Sequence, residues 1–274
     1  LNQSIIDYTL HLADNALIIA QRNSEWCGHG PVLEQDIAIT NISLDLIGQA
    51  RSLYQYAAEL INSNNISTGV SSPSTRGGQA EATEDTLAYL RDARAFKNCL
   101  LTEQPNGDWA QTILRQFLFS TYQYLLYQRL QQSTDATLAA IAEKSLKEVT
   151  YHVRWSSEWV IRLGDGTEES HNRMLNAIDE LWMYAGEMFI PATYESEAVK
   201  KGIGVDVAAL KEQWMQRVNE IFAEATLISS PSGGGREGAT WSQTGGKEGL
   251  HSEHLGYILA ELQFMQRAYP NSEW

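Results

Sequence analysis

The sequence predicts an all-α fold, a four-helix bundle with additional C-terminal helices. Three observations carry this. Long segments repeat apolar residues at helical spacing. All six prolines (31, 73, 105, 191, 231 and 270) fall between those segments, where a helix breaker belongs. Strand signals are hard to find anywhere along the chain.

The first helix is expected over about residues 4–23, where Ile5, Ile6, Leu10, Leu17 and Ile18 recur at helical spacing. A loop, EWCGHGP, follows. The second helix runs from about 34 to 61, with Ile39, Ile42, Leu46, Leu53, Ala57 and Leu60 on one broad face. Residues 62–83 are rich in Ser, Asn, Thr and Gly and read as a variable loop or disordered insertion. A further helix is expected over 84–101, capped by Thr83 or Asp85, before the turn Glu103-Gln104-Pro105-Asn106-Gly107. The third bundle helix covers about 108–131. The fourth covers about 136–163 and stops at Gly164-Asp165-Gly166. Three more follow at about 169–189, 207–226 and 247–268, the last after a Gly-rich link at 229–246. Four long helices in succession predict a ferritin-like bundle. The Gly-rich stretches join single helices, so residues 1–274 are expected to form a single domain.

Hydrophobic content of 43% over 274 residues supports a sizeable core. The net charge of −14 repels phosphate backbones and anionic membranes, which argues against nucleic-acid binding and for a basic partner protein. Cys27 and Cys99 show no pairing pattern or metal spacing, as fits a reducing cytoplasm. The opening LNQSIIDYTL lacks a basic n-region, and no run of eighteen apolar residues exists. A cytoplasmic location is expected.

The most informative feature lies mid-helix. A di-iron bundle takes an inward Glu from each of two helices and a Glu-x-x-His pair from each of the other two. Residues i and i+3 share a face, so carboxylate and imidazole converge. Here the two quartets read Leu46-Ile47-Gly48-Gln49 and Val149-Thr150-Tyr151-His152. Literal Glu-x-x-His matches occur elsewhere, at Glu168–His171 and Glu248–His251, the second overlapping His251-Ser252-Glu253-His254. Both follow glycine-rich turns at expected helix starts, where an acidic residue serves the macrodipole and the cap. His152, four residues after Glu148, reads as a core histidine bonded to a neighbour. His11 and His29 have no partner at metal spacing.

Other chemistry is poorly supported. Cys27 and His29 are two residues apart on a tight loop and do not align as nucleophile and base. No GxSxG elbow, GxGxxG turn or Walker loop is present, and Gly233-Gly234-Gly235 reads as a flexible link. Arg91-Asp92-Ala93-Arg94-Ala95-Phe96 admits two readings. Arg91 and Arg94 suit phosphate recognition with Phe96 against a flat ring; alternatively this is a surface helix with an Arg–Asp pair. Trp155, Trp159, Trp182 and Trp214 read as core or interface anchors.

Six segments carry a resemblance: LADNALIIAQRNSEWCGHGP, NISLDLIGQARSLYQYAAEL, EDTLAYLRDARAFKN, EQPNGDWAQTI, KEVTYHVRWSSEWVIRLGDGT and TGGKEGLHSEHLG. Together, in this order and over nearly the whole chain, they resemble the C subunits of bacterial phenylacetyl-CoA epoxidases (phenylacetate-CoA oxygenases). The 62–83 insertion departs from the compact connection expected there. The resemblance implies a ferritin-like but non-catalytic subunit that supports a homologous catalytic subunit holding the di-iron centre. Against the catalytic pattern, Leu46 and Gln49 replace the second-helix Glu and His, and Val149 replaces the fourth-helix Glu. Ser120 stands for a third-helix carboxylate, and the first-helix Glu falls near Ala16. His152 alone survives. No catalytic residue, metal or other cofactor is therefore expected in this chain.

The same resemblance implies that the subunit lines part of the CoA passage, at Ala93, Arg94, Ala95 and Phe96 and around Tyr194, Glu195 and Ser196. It further implies a heterotetramer of two copies of each subunit, with small and reductase subunits in addition. Two rivals stand beside this reading. One is a divergent metal-dependent oxygenase using Glu248–His254 and His171; the other is a stand-alone acyl-CoA-binding helical protein.

Overall fold

The computed structural model describes residues 3–64, 81–227, 242–270 and 272. Most of the 62–83 insertion and of the 229–246 link lies outside them. Every regular element among the described residues is helical. The α-helices are α1 (Gln3–Ser24), α2 (Leu33–Asn64), α3 (Glu84–Tyr89), α4 (Leu100–Glu103), α5 (Trp109–Leu130) and α6 (Ala136–Gly164). They continue as α7 (Glu168–Ala185), α8 (Thr193–Lys200), α9 (Lys211–Glu224), α10 (Glu253–Leu262) and α11 (Phe264–Ala268). Short 3-10 turns lie at Ala93–Ala95, Gly186–Phe189, Ala208–Leu210 and Gly246–Glu248.

The bundle is α1, α2, α5 and α6. α1 lies along α2, α5 along α6, and α2 closes against α6. Two of their starts are set by local chemistry. Asp108 accepts the Gln111 amide at 3.0 Å, and Asp135 accepts the amides of Thr137 and Leu138. Each side-chain oxygen satisfies a backbone donor that has no partner inside its helix. α7 packs on α5, and α9 on α5 and α6. Trp214 anchors α9 by donating its indole N–H to the Leu118 carbonyl at 2.9 Å. Gln35 accepts the indole N–H groups of both Trp155 (3.1 Å) and Trp159 (2.7 Å), tying the start of α2 to the end of α6. Among the described residues no helix is long and apolar enough to cross a membrane.

Three expectations need correction. The helix expected over 84–101 is two short helices with an irregular link. Thr83 does cap the first, its oxygen accepting the Thr86 amide at 3.1 Å. The break comes from α1, whose polar residues capture the backbone that would have continued the helix. Asp14 accepts the Lys97 amide (2.8 Å), Asn15 accepts the Cys99 amide (2.8 Å), and the His11 ring donates to the Lys97 carbonyl (2.7 Å). α8 leaves no trace in the sequence pattern, because eight residues hold too few turns to show a period. The helix expected over 247–268 begins only at Glu253. Gly245 (φ +133°) and Gly249 (φ +80°) have backbone angles that a right-handed helix excludes.

Candidate functional site

The residues expected at the di-iron positions lie inside the bundle. Ala16, Leu46, Gln49, Ser120, Val149 and His152 are all buried. Leu46, Val149 and Ala16 join the apolar core. Ser120 donates to the Gln116 carbonyl at 2.7 Å, one turn back along its own helix, and lies 3.3 Å from Ser156 on α6.

His152 and Gln49 form two rungs between the antiparallel helices α2 and α6. The Nε2 of His152 is 3.0 Å from the Asp45 carboxylate. One turn away, Gln49 donates to Glu148 at 2.9 Å and accepts from Gln123 at 3.0 Å. The two acidic residues each precede a di-iron position, Asp45 before Leu46 and Glu148 before Val149. One residue is about 100° around a helix, so neither carboxylate occupies the inward ligand direction. The histidine's partner therefore comes from α2 and not from Glu148 on its own helix. A di-iron centre needs a cage of carboxylates. One imidazole, one amide and one hydroxyl do not fit it. Among the described residues no group of three His, Cys, Asp or Glu side chains is placed to hold a metal ion.

The literal Glu-x-x-His matches resolve differently. Glu168 lies in the first turn of α7, which Thr167 caps by accepting the Ser170 amide at 3.2 Å. His171 turns back to the Gly164 carbonyl at 2.7 Å and closes the C-terminus of α6. Glu248 does not start an α-helix; it closes the 3-10 turn Gly246–Glu248 and is exposed. Cys27 and His29 are exposed on the turn after α1.

Within TGGKEGLHSEHLG, expected as the end of the Gly-rich link and the start of the last helix, residues 244–252 are instead a strap held by buried carboxylates, and the helix begins at Glu253. Glu187 accepts the amides of Gly245 and Gly246, both at 2.8 Å, with one oxygen, and that of Leu100 at 2.7 Å with the other. Burial outweighs these bonds and holds its carboxyl above the usual carboxylate range. The Lys247 ammonium is buried against Glu195 at 2.9 Å and the carbonyls of Met188 and Ile190. Glu103 accepts the Ser252 amide at 2.7 Å and faces His251 at 2.8 Å. A Cβ on Gly249 would lie 2.3 Å from the Arg94 carbonyl, so only glycine permits this approach.

The strap borders both segments expected at the CoA passage. Tyr194 donates its hydroxyl to the Lys247 carbonyl at 3.1 Å, and Glu195 holds the Lys247 ammonium. Tyr194 and Glu195 are buried and Ser196 is half-buried. On the other side Arg94 and Ala95 are exposed, Ala93 is half-buried and Phe96 is fully buried. Both readings of the Arg91–Phe96 segment need revision. It is not a surface helix, and Arg91 is not free for a ligand. Arg91 forms a buried ion pair with Asp14, and its guanidinium lies 4.2 Å from the centre of the Phe96 ring. The flat group against Phe96 is the protein's own.

Two apolar surfaces remain. Leu33, Ile37, Leu44 and Ile47 are exposed along one stripe of α2. Tyr257, Phe264 and Met265 are exposed on α10 and α11, beside a groove of about 530 Å³ lined by Ala93, Gly256, Leu259, Ala260 and Phe264.

The family model described as phenylacetic acid catabolic protein matches residues 1–274. The chain belongs to that family. It is similar to the C subunit of the 1,2-phenylacetyl-CoA epoxidase of Escherichia coli (strain K12), with 44% identity over 267 residues, covering 97% of this chain and 98% of that one. An all-helical bundle is what this phenylacetic acid catabolic family member was expected to adopt. Sequence reasoning missed the polar inner face of α1 and the strap carboxylates Glu103 and Glu187, and it placed Glu195 at the CoA passage where the structure gives it the buried Lys247 ammonium. The glycines of TGGKEGLHSEHLG were the available signal, since three glycines in five residues oppose a helix.

Proposed function

We propose that this chain is the non-catalytic structural subunit of a multicomponent di-iron monooxygenase that epoxidises the ring of phenylacetyl-CoA during phenylacetate degradation. One observation carries the reading. The bundle is complete, yet its ligand positions hold Ala16, Leu46, Gln49, Ser120 and Val149, buried and without a carboxylate. Ligand positions without buried carboxylates need no metal to neutralise them. Such a fold is free to serve as a rigid support for a homologous subunit, whose own ligands keep their geometry only when their surroundings are fixed. The similarity to the C subunit of an epoxidase supports the same reading.

The partner face is the α2 stripe. Leu33, Ile37, Leu44 and Ile47 recur at helical spacing and span about 21 Å at 1.5 Å per residue. An exposed stripe of this kind marks a protein contact. The occupant is the catalytic di-iron subunit, and the assembly is a heterotetramer of two copies of each in the cytoplasm, joined by small and reductase subunits. The reductase supplies electrons while one atom of O₂ enters the ring. On this chain, contact with CoA falls to the exposed Arg94 and Ala95, with Arg94 placed to meet a phosphate.

Co-expression with the catalytic subunit tests the proposal. The two chains are expected to purify together, and phenylacetyl-CoA turnover is expected only from the pair supplied with reductase. Turnover by this chain and reductase alone would refute it.

A further inference from the structure

The His251 ring, at the centre of the strap, faces an acceptor on both sides. Its Nδ1 lies 2.8 Å from the Glu103 carboxylate and its Nε2 lies 2.9 Å from the Phe96 carbonyl. A carbonyl oxygen accepts and cannot donate. The Glu103 carboxylate already receives the Ser252 amide on one oxygen and the Asn98 side chain at 2.9 Å on the other. Two acceptors facing the two ring nitrogens suit an imidazolium, with the Glu103 carboxylate as its counter-charge. His11 shows the contrast. Its Nδ1 donates to the Lys97 carbonyl, but its Nε2 meets the Asn15 amide nitrogen at 3.2 Å. That amide is oriented by the Cys99 N–H on its oxygen and lies 3.4 Å from Nδ1 as well, and the Glu195 carboxylate is 3.6 Å from Nε2, so His11 lacks the pair of acceptors at hydrogen-bond distance that His251 has.

We propose that His251 is a proton-dependent clasp that fastens the C-terminal segment, α10 and α11, to the 92–103 loop. The protonated ring bridges two elements, α4 through Glu103 and the 3-10 turn through Phe96. Its loss of one proton removes one of those bonds and leaves either a buried carboxylate or a carbonyl without its donor. The side chains of His251 and Glu103 are 4% and 0% exposed, so water cannot readily replace the bond. The charged groups around the ring favour the proton. Glu103 faces it from α4, and Asp14 contributes from α1. Arg91 neutralises Asp14, and Arg22 donates to the Glu103 backbone carbonyl at 3.0 Å. Burial opposes the charge, but the net effect raises the imidazole above its ordinary value of 6.5.

The sign follows from linkage. A histidine raised in the folded state contributes fully below its unfolded value, and that contribution is lost as pH rises through the folded value. The clasp is thus closed below the folded value and released as pH rises through it. Release frees the strap downstream of Lys247, which has its own anchor in Glu195.

The test uses the full chain labelled with ¹⁵N-histidine. Nitrogen shifts are expected to show His251 protonated on both nitrogens at pH 6, with His251→Gln assigning the signal. Hydrogen exchange of residues 253–268, corrected for the intrinsic pH dependence, is expected to accelerate about ten-fold as His251 deprotonates. His251→Gln should show the fast exchange at every pH. Glu103→Gln, which keeps an acceptor but removes the charge, should move the transition to lower pH. A neutral His251 ring at pH 6 would overturn the proposal, as would corrected exchange that does not change across the titration.

Discussion

Asp45 on α2 and His152 on α6 are joined across 3.0 Å, one helical turn from the 2.9 Å contact between Gln49 and Glu148. These rungs bind the two helices that would each supply a Glu-x-x-His pair in a di-iron protein. Their carboxylates are displaced by one residue from the ligand positions. The centre is thereby closed by Leu46 and Val149. Restoring Leu46→Glu should therefore destabilise the chain by about 3 kcal/mol or more, because the new carboxylate has no partner in the core. Denaturant unfolding measures this. Recovery of the lost stability on adding iron would mean that the pocket still assembles a site.

Asp14 and Arg91 form the polar centre of the α1 end of the bundle. Tyr54 donates to Asp14, and Asp14 also accepts the Lys97 amide. Asp14→Ala leaves Arg91 buried without its counter-charge and should cost about 3–5 kcal/mol. The double change Asp14→Leu with Arg91→Met should cost clearly less than the two single changes summed. A double-mutant cycle by thermal or urea unfolding checks it; additive losses would show that the two side chains act independently.

Gly249→Ala tests the strap. The residue sits at φ +80° with the Arg94 carbonyl 2.3 Å from where a Cβ would be. The left-handed backbone alone costs about 1–2 kcal/mol for a residue with a Cβ, and the close approach adds to it. Calorimetry is expected to show a lower Tm. An unchanged Tm would mean that the strap is not packed against the 92–96 turn.

The two buried histidines should bound stability from opposite sides. His11 is held below its ordinary value of 6.5, chiefly by burial. Its contribution is present above that value and is lost as pH falls toward the folded value. His251 is raised, so its contribution is lost as pH rises through its folded value. Stability measured from pH 5 to 9 is expected to peak between the two. His11→Asn should flatten the acid side and His251→Gln the basic side. An identical pH profile for wild type and both variants would contradict this.

The α2 stripe should behave as an interface anchor. Leu44 is 61% exposed, so Leu44→Asp leaves the isolated chain's stability nearly unchanged. With its apolar partner face uncovered the chain alone is expected to self-associate; Leu44→Asp should reduce this and weaken binding to the catalytic subunit by about 2 kcal/mol. Sedimentation velocity of the chain alone and of the mixture provides both readings. Undiminished assembly would move the partner contact to another face.

The four bundle helices were legible because 22 to 32 residues hold many apolar turns. The residue types at the expected ligand positions, Leu46, Gln49, Ser120, Val149 and His152, come directly from the sequence, and the structure adds that all five are buried. The polar face of α1 was not. His11, Asp14 and Asn15 look like an ordinary solvated stripe in sequence, and only the return of residues 97–99 against them gives them buried partners. Arg91 was misread for the same reason: its counter-ion lies 77 positions away in the chain. The strap escaped because His251, Ser252 and Lys247 take their partners from other elements, none of which has a fixed sequence offset from them.

Iron per polypeptide tests the central claim most directly. The chain is expressed alone with iron supplementation, purified without chelator and analysed for metal. A bundle closed by Leu46, Val149 and Ala16 predicts iron near zero, with the metal appearing only when the catalytic subunit is co-purified. About two irons per chain, the loading of a filled di-iron site, would contradict the account and require a ligand set built around His152, His171 or the Glu248–His254 segment.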